Sequence, residues 1–348
     1  MVIVFVMTLQ TDICIIGGGP GGLTCAQILA ENGRQVTLVE RKPEPGPKVC
    51  AGGITWHGFL QHVPAGLIQK SFTRQHIYTP WQHVQIHEKQ PIVATVDRED
   101  LGRWMAEKAT LAGATILSDT KALSIDGNQL KILTKNSTRT IQYTHLVGAD
   151  GANSMVRRSL GLSAKAVGIG LNAFLPITRT AMEWHLRPQY FRHGYGWIFP
   201  HGKTISIGAY TERHTLPVSQ LKQNLINWAR ERDILLPEKS IRAGLINFDY
   251  QGHAFGNRWL VGEAAGLASG LTGEGIYPAI VSARAVSYAI LQPDYTPTEL
   301  TNMIHCQKRH NAVLKFAGKY PRFGNILMNT LVLLLRLKIL NFHMLEMA

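Results

Sequence analysis

Ile13-Cys14-Ile15-Ile16-Gly17-Gly18-Gly19-Pro20-Gly21-Gly22 is the stretch on which the reading of this chain turns. The apolar run Ile13 to Ile16 reads as a buried strand that ends in glycines, after which Leu23, Ala26, Ile28, Leu29 and Ala30 fall on one side of a helix. Val36-Thr37-Leu38-Val39 is a second buried strand, stopping at Glu40 and closing a β-α-β unit of about thirty residues. In Gly17-x-Gly19-x-x-Gly22 the first glycine permits the tight turn, the second lets a pyrophosphate approach the backbone, and the third lets helix and strand pack closely. The helix N-terminus turns free N–H groups and a positive dipole end toward that pyrophosphate. Glu40, 18 residues after Gly22, is placed to accept hydrogen bonds from a ribose diol. A merely tight turn would leave Glu40 unexplained, so the stretch predicts a dinucleotide site.

Outward from this unit, a Pro- and Gly-rich loop runs from Arg41 to Gly53, and short β-like stretches alternate with turns from about Thr73 to Val96. Asp97-Arg98-Glu99-Asp100 opens a helix reaching about Ala112, with acids in the first turn where the macrodipole favours them. Residues 114–142 read as a strand and a small meander, and Thr144 to Ala149 as another buried strand ending in Asp150-Gly151. A second β-rich region covers about 165–248, with one helix near Gln220 to Arg232. The chain then returns to a strand, Trp259-Leu260-Val261, a glycine-rich loop, and a helix from about Gly275 to Leu291. Two predominantly helical stretches follow residue 296. The fold class expected is α/β: a discontinuous Rossmann-like domain (7–72, 97–164 and 249–295), an inserted β-rich substrate domain (73–96 and 165–248) and a C-terminal helical segment (296–348).

Across 348 residues, 45% hydrophobic and 17% charged content with 33 glycines and 16 prolines excludes disorder, collagen and coiled coil. Lys and Arg outnumber Asp and Glu by 36 to 23, a formal +13 that favours anionic partners without choosing among them. No RNA-binding motif accompanies the charge, so no nucleic-acid partner is expected. Cys14, Cys25, Cys50 and Cys306 form no C-x-x-C pair, which argues against a disulfide framework or zinc site and suits a reducing cytoplasm. His83 and His87 lack a third ligand at usable spacing, and no metal is expected. The apolar opening Met1 to Val6 is too short for a signal peptide, and Met7 is expected to begin the structured chain. No run reaches the roughly 18 apolar residues needed to span a bilayer. Even Ile326 to Leu340 contains Asn329, Thr330, Arg336 and Lys338.

Five further blocks accompany the dinucleotide unit: Lys48-x-Cys50-Ala51-Gly52-Gly53, Val96-Asp97-Arg98-x-x-Leu101, Gly148-x-Asp150-Gly151-x-x-Ser154-x-x-Arg157, Tyr195-x-Trp197-x-Phe199-Pro200 followed by Gly208, and Gly262-Glu263-Ala264-Ala265-Gly266 leading to Thr272-Gly273-Glu274-Gly275-Ile276. In this order, from about Thr11 to Leu291, the chain resembles the flavoprotein geranylgeranyl reductases, within the larger group that shares the p-hydroxybenzoate-hydroxylase-like FAD fold. The resemblance implies FAD as cofactor, with Gly17, Gly19, Gly22, Glu40 and Arg41 at its ADP half. It implies Lys48, Ala51 and Gly52 near the isoalloxazine, Arg98 and Asp150 as further FAD contacts, and Gly262, Glu263, Gly273, Gly275 and Ile276 at the flavin end. Tyr195, Trp197, Phe199 and Pro200 would wall a substrate cavity, although their alternation also suits plain strand core. Three departures stand out: Glu263 where the family usually has Asp, Gly270 in place of a proline, which predicts a more mobile loop, and His201 where a lysine is common.

The expected reaction is reduction of carbon–carbon double bonds in an isoprenoid, geranylgeranyl-type chain by hydride from reduced flavin, with NAD(P)H or another donor supplying electrons. Cys50 is the first candidate for proton donor or substrate-positioning group, and Tyr195 the second. The alternative is an aromatic-hydroxylase-like monooxygenase using NAD(P)H and O2. Against it, the flavin-end loop lacks the His and G-x-G-x-N pattern the hydroxylases tend to carry. Near the C-terminus, Lys308, Arg309, Lys315, Lys319 and Arg322 precede Ile326-Leu327-Met328 and Leu331 to Leu335, with Arg336 and Lys338 beyond. That pattern suits a peripheral helix on the cytoplasmic face of an anionic membrane. It equally suits a helix packed over the substrate domain or against another subunit.

Overall fold

A computed structural model describes residues 8–55, 63–135, 137–340 and 347, with backbone alone at 321–323. The expected start at Met7 and the side chain of Arg322 lie outside the described residues.

The strand Thr8–Ile16 lies in the middle of the larger sheet, and its apolar half, Ile13 to Ile16, is buried on both faces. Val36–Val39 pairs parallel on one side and Thr138–Gly148 on the other, with Thr115–Leu117 and Arg258–Leu260 extending the parallel array. Helix Pro20–Glu31 buries Leu23, Cys25 and Leu29 in a core shared with helices Arg98–Leu111 and Ile276–Leu291. Such doubly covered parallel strands need continuous apolar runs, which Ile13 to Ile16 and Val36 to Val39 supply. Asp97 caps its helix as expected, its carboxylate accepting the N–H groups of Glu99 at 2.7 Å and Asp100 at 3.2 Å.

Two features differ from the sequence reading. The last strand of the meander and the buried strand before Asp150 are one 11-residue strand, Thr138–Gly148. Its polar first half pairs antiparallel with Gln129–Leu133 while almost its whole length runs parallel to Thr8–Ile16, so a change of neighbour imitates a break in the chain. Val93–Val96 joins Gly53–Thr55 and Ile68–Phe72 in a separate three-stranded sheet. Residues on both sides of the 72/73 division therefore share hydrogen bonds.

The second large sheet runs in the order Arg242–Asn247, Val167–Leu175, Ile205–Glu212, Tyr195–Pro200, Glu183–His185, Arg74–Tyr78, His83–His87. Helix Val218–Arg230 covers one face with Leu221, Leu225 and Trp228, against which Ile198 packs. Because strand side chains alternate, Tyr195, Trp197 and Phe199 point to the opposite face, where they pack with Phe72 and Val93 of the three-stranded sheet and with Val332 and Leu335 of the last helix. Helices Thr298–Lys319 and Pro321–Arg336 close the molecule. A Cβ on Gly324 would sit 3.0 Å from Ala317, so the two helices meet closely there. Val332 and Leu335 are buried with Phe72, Ile77 and Trp197, so the final helix does pack over the substrate sheet. Among the described residues no helix is long and apolar enough to cross a membrane.

Candidate active site

The strand-to-helix turn is made by glycines for separate reasons. Gly17 has φ +109°, and a Cβ there would lie 2.4 Å from the Ala149 carbonyl oxygen. A Cβ on Gly22 would lie 1.9 Å from Gly17 O, whereas one on Gly19 would meet nothing within 4 Å and would project into open space. Gly19 thus offers bare backbone at the start of helix Pro20–Glu31. The Glu40 carboxylate accepts Gly18 N–H at 2.6 Å and Lys42 N–H at 2.9 Å, which fixes it at the mouth of the turn.

That open space is one end of a cavity of about 860 Å³ between the two large sheets. Its wall brings together Gly17, Gly19, Glu40, Arg41, Lys48, Cys50, Ala51, Arg98 and Asp150 from the first half of the chain. Gly262, Glu263, Gly273, Gly275 and Ile276 join them from the later loop, and Tyr195, Trp197 and Phe199 from the substrate sheet. Three expected contact residues stand back from the wall. Gly22 serves the close packing of helix on strand. Gly52, at φ +79°, lies where a Cβ would come within 2.6 Å of the His201 ring. Pro200 faces inward, its carbonyl accepting the Thr95 hydroxyl at 2.8 Å. Protein groups engage both ring nitrogens of His201, which lie 2.7 Å from Gln69 Oε1 and 3.0 Å from Ala51 O, and burial lowers its pKa.

At the polar end, three buried atoms on this wall have no hydrogen-bond partner among the described residues: Arg98 Nε, Asp150 Oδ1 and Glu263 Oε2. Glu263 spends its other oxygen on Lys48, and Asp150 accepts Met155 N–H at 2.6 Å with its own. Burial lifts the Asp150 carboxyl above the ordinary range against the pull of hydrogen bonds from Ser154 and backbone N–H groups. Each unmet buried polar atom costs about 1–3 kcal/mol, so three on one wall mark a place for a polar occupant. Beside Glu263, where a Cβ on Gly275 would lie 3.4 Å from its Oε1, helix Ile276–Leu291 presents an N-terminus with no side-chain cap.

The other end is aromatic and apolar. Trp184 sits edge-on to Phe199 at 4.7 Å and 5.3 Å from Tyr195, whose ring is 6.0 Å from Trp197. Trp197 Nε1–H donates to Ser206 Oγ at 3.0 Å, Ser206 donates to Asn172 Oδ1 at 2.7 Å, and Asn172 Nδ2 donates to the Cys50 carbonyl at 3.1 Å. This relay ties the aromatic wall to the loop carrying Cys50, whose Sγ accepts Gly52 N–H at 3.4 Å. Met328, Leu331, Val332 and Leu335 of the final helix complete the wall. The Tyr195 hydroxyl hydrogen is committed to Thr272 O at 2.5 Å, and burial raises its pKa, so Tyr195 fastens the loop rather than presenting a proton.

A family profile described as an FAD binding domain matches residues 10–233, well over half the chain. The geranylgeranyl diphosphate reductase of Rhodobacter capsulatus is 30% identical over 301 residues, spanning 81% of this chain and 75% of that protein. The chain belongs to the geranylgeranyl reductase family of FAD-dependent oxidoreductases. Digeranylgeranylglycerophospholipid reductase 3 of Methanosphaera stadtmanae is 27% identical over 321 residues, covering 84% of this chain and 81% of its own. In fold, a geranylgeranyl bacteriochlorophyll reductase-like protein from Thermoplasma acidophilum superposes with a TM-score of 0.73 at 22% identity, covering 89% of this chain and 84% of that one.

The wall of this family member fits FAD. Bare backbone at Gly19, the carboxylate of Glu40 and the unpartnered atoms of Arg98, Asp150 and Glu263 form a polar track, and the uncapped helix at Ile276, which starts beside Glu263, favours negative charge there.

Sequence reasoning missed the residues that hold the flavin-end loop. Gln307 Nε2 donates to Gly266 O at 2.6 Å and Ala268 O at 2.8 Å, and His310 Nδ1 lies 2.9 Å from Ser269 Oγ. Tyr210 donates to Gly270 O at 2.6 Å. A Cβ on Gly270 would stand 2.8 Å from both Leu314 and Phe248, so glycine here admits close packing by helix Thr298–Lys319. The expected extra mobility from the missing proline is opposed by these bonds. Burial brings the His310 pKa down to about 4. Trp184 was also missed, because Glu183–His185 is too short a strand to show a period.

Proposed function

We propose that the enzyme saturates carbon–carbon double bonds of an isoprenoid chain held in the aromatic end of the cavity. The observation that carries this reading is the continuity of a polar, cofactor-fitting compartment with an apolar one walled by Trp184, Tyr195, Trp197, Phe199, Leu331, Val332 and Leu335. Held by the polar wall, FAD would supply the hydride for one alkene carbon. An isolated trisubstituted alkene is barely polarised, so the second carbon must receive a proton as the hydride arrives. Cys50, on the wall with its Sγ accepting a long contact from Gly52 N–H, is the group we assign to that proton. The aromatic side chains exclude water and align the chain, and their indole N–H groups are satisfied away from the cavity by Ser206 and Gln75. The electrons for a bound flavin would come from NAD(P)H or another donor.

Anaerobic addition of geranylgeranyl diphosphate or a geranylgeranyl phospholipid to the photoreduced protein tests the reading. The flavin absorbance should return in step with substrate consumed. A flavin that stays reduced until O2 is admitted, with oxygenated product then appearing, would favour the monooxygenase chemistry instead.

A further inference from the structure

The final helix, Pro321–Arg336, carries apolar side chains on two opposite sides. Met328, Leu331, Val332 and Leu335 face the cavity. Ile326, Leu333 and Leu337, spaced by seven and four residues, form a stripe half a turn away and are 51%, 41% and 58% exposed. A water-facing helix ordinarily hides its only apolar side. The turn between Arg74–Tyr78 and His83–His87, which exposes Trp81 by 68%, is tied to this helix by Gln82 Nε2 donating to Asn329 O at 2.9 Å. That bond holds the turn carrying Trp81 to the final helix.

Charge identifies the occupant. From Leu300 to Leu345 the chain has seven Lys and Arg and no Asp or Glu. Lys308, Arg309, Lys315, Lys319, Arg336 and Lys338 are all exposed. Two copies meeting through this face would set like charge against like, as would any basic partner. An anionic bilayer satisfies both features, taking tryptophan and leucine into its interface and the lysines at its headgroups.

We propose that Trp81 and the Ile326–Leu333–Leu337 stripe dock on an anionic lipid bilayer, which makes the final helix a shared wall between membrane and substrate cavity. The packed and membrane-bound alternatives for this helix then apply to its two sides at once. The proposal deepens the isoprenoid reading, on which it rests for its purpose, while its observations are independent of that reading.

The test is flotation of the holoprotein with vesicles of phosphatidylcholine alone or with phosphatidylglycerol, followed by flavin absorbance. Wild type should float with the phosphatidylglycerol vesicles at low salt and be released by high salt. The pair Trp81→Asp and Leu333→Asp should lower the floated fraction with FAD retained. Lys315→Glu with Lys319→Glu, which leaves the apolar stripe untouched, should weaken vesicle binding by roughly tenfold or more. Wild type left unbound at low salt, binding unaffected in both double variants, or a wild-type dimer that Leu333→Asp turns into a monomer would each overturn the proposal. Reduction of detergent-dispersed substrate in the same preparations reports on the reaction alone, so loss of flotation with turnover intact separates this proposal from the proposed function.

Discussion

The two ends of the cavity are built in opposite ways. The polar end is assembled from turns and helix termini whose backbone must be bare, so single glycines and carboxylates dictate it over short spans of chain. The apolar end is assembled from side chains that meet only after folding: Trp184 from a three-residue strand, Trp197 and Phe199 from its neighbour, and Leu331 to Leu335 from the last helix. The first end depends on a few irreplaceable backbone positions. The second depends on volume and packing, which tolerate exchange of similar side chains. Substitutions should therefore fail abruptly at the polar end and by degrees at the apolar end.

The largest expected effect is at Gly19. Gly19→Val puts a branched side chain into the space that its backbone leaves open, and FAD affinity should fall by about 100-fold or more, roughly 3 kcal/mol, in a protein that still folds. Flavin content after dialysis measures it, and a fully yellow variant would break the contrast. Cys50→Ala comes next, keeping FAD but losing about 10²–10⁴ in alkene reduction if its proton is used. Full turnover would remove Cys50 from the reaction.

A pH effect sharpens the comparison further, since it concerns the fastening of the flavin-end loop. His310 has its pKa lowered by burial from the ordinary 6.5 to about 4, so the unfolded chain takes up a proton that the folded one refuses. Stability from this group is fully present above about pH 6.5 and is lost as pH falls toward 4, by roughly 3 kcal/mol in all. Urea unfolding from pH 7 to 4 should show the decline, and His310→Asn should flatten part of it. The smallest effect is expected at the apolar end. Trp184→Phe keeps an aromatic wall, so KM should rise by only a few-fold with FAD unchanged, while loss of the hydrogen bond to buried Gln75 should lower folding stability by about 1–3 kcal/mol.

The same contrast explains what the sequence made legible. Gly17 to Glu40, the Asp97 cap and the helix beginning at Ile276 are local, and each carries its physical reason within a few residues. Thr138–Gly148 was divided because its neighbour, not its backbone, changes midway. Val93–Val96 pairs with Gly53–Thr55 and Ile68–Phe72 although it follows the strands of the second large sheet in the chain, and nothing local says which strands it pairs with. Gly22, Gly52 and Pro200 lie in motifs whose purpose is packing around the site, and motif membership alone does not distinguish wall from support. Gln307 and His310 sit on a helix far along the chain, and only the closed fold shows them gripping Gly266 to Ser269.

The central claim, that the two compartments serve one reduction, is most directly tested by mass spectrometry of a geranylgeranyl substrate after anaerobic incubation with chemically reduced protein. The account predicts product heavier by two hydrogens per saturated bond, carrying no added oxygen, and present in wild type but scarce in Cys50→Ala. Unchanged substrate with the flavin still reduced, or oxygenated product formed only in air, would contradict it.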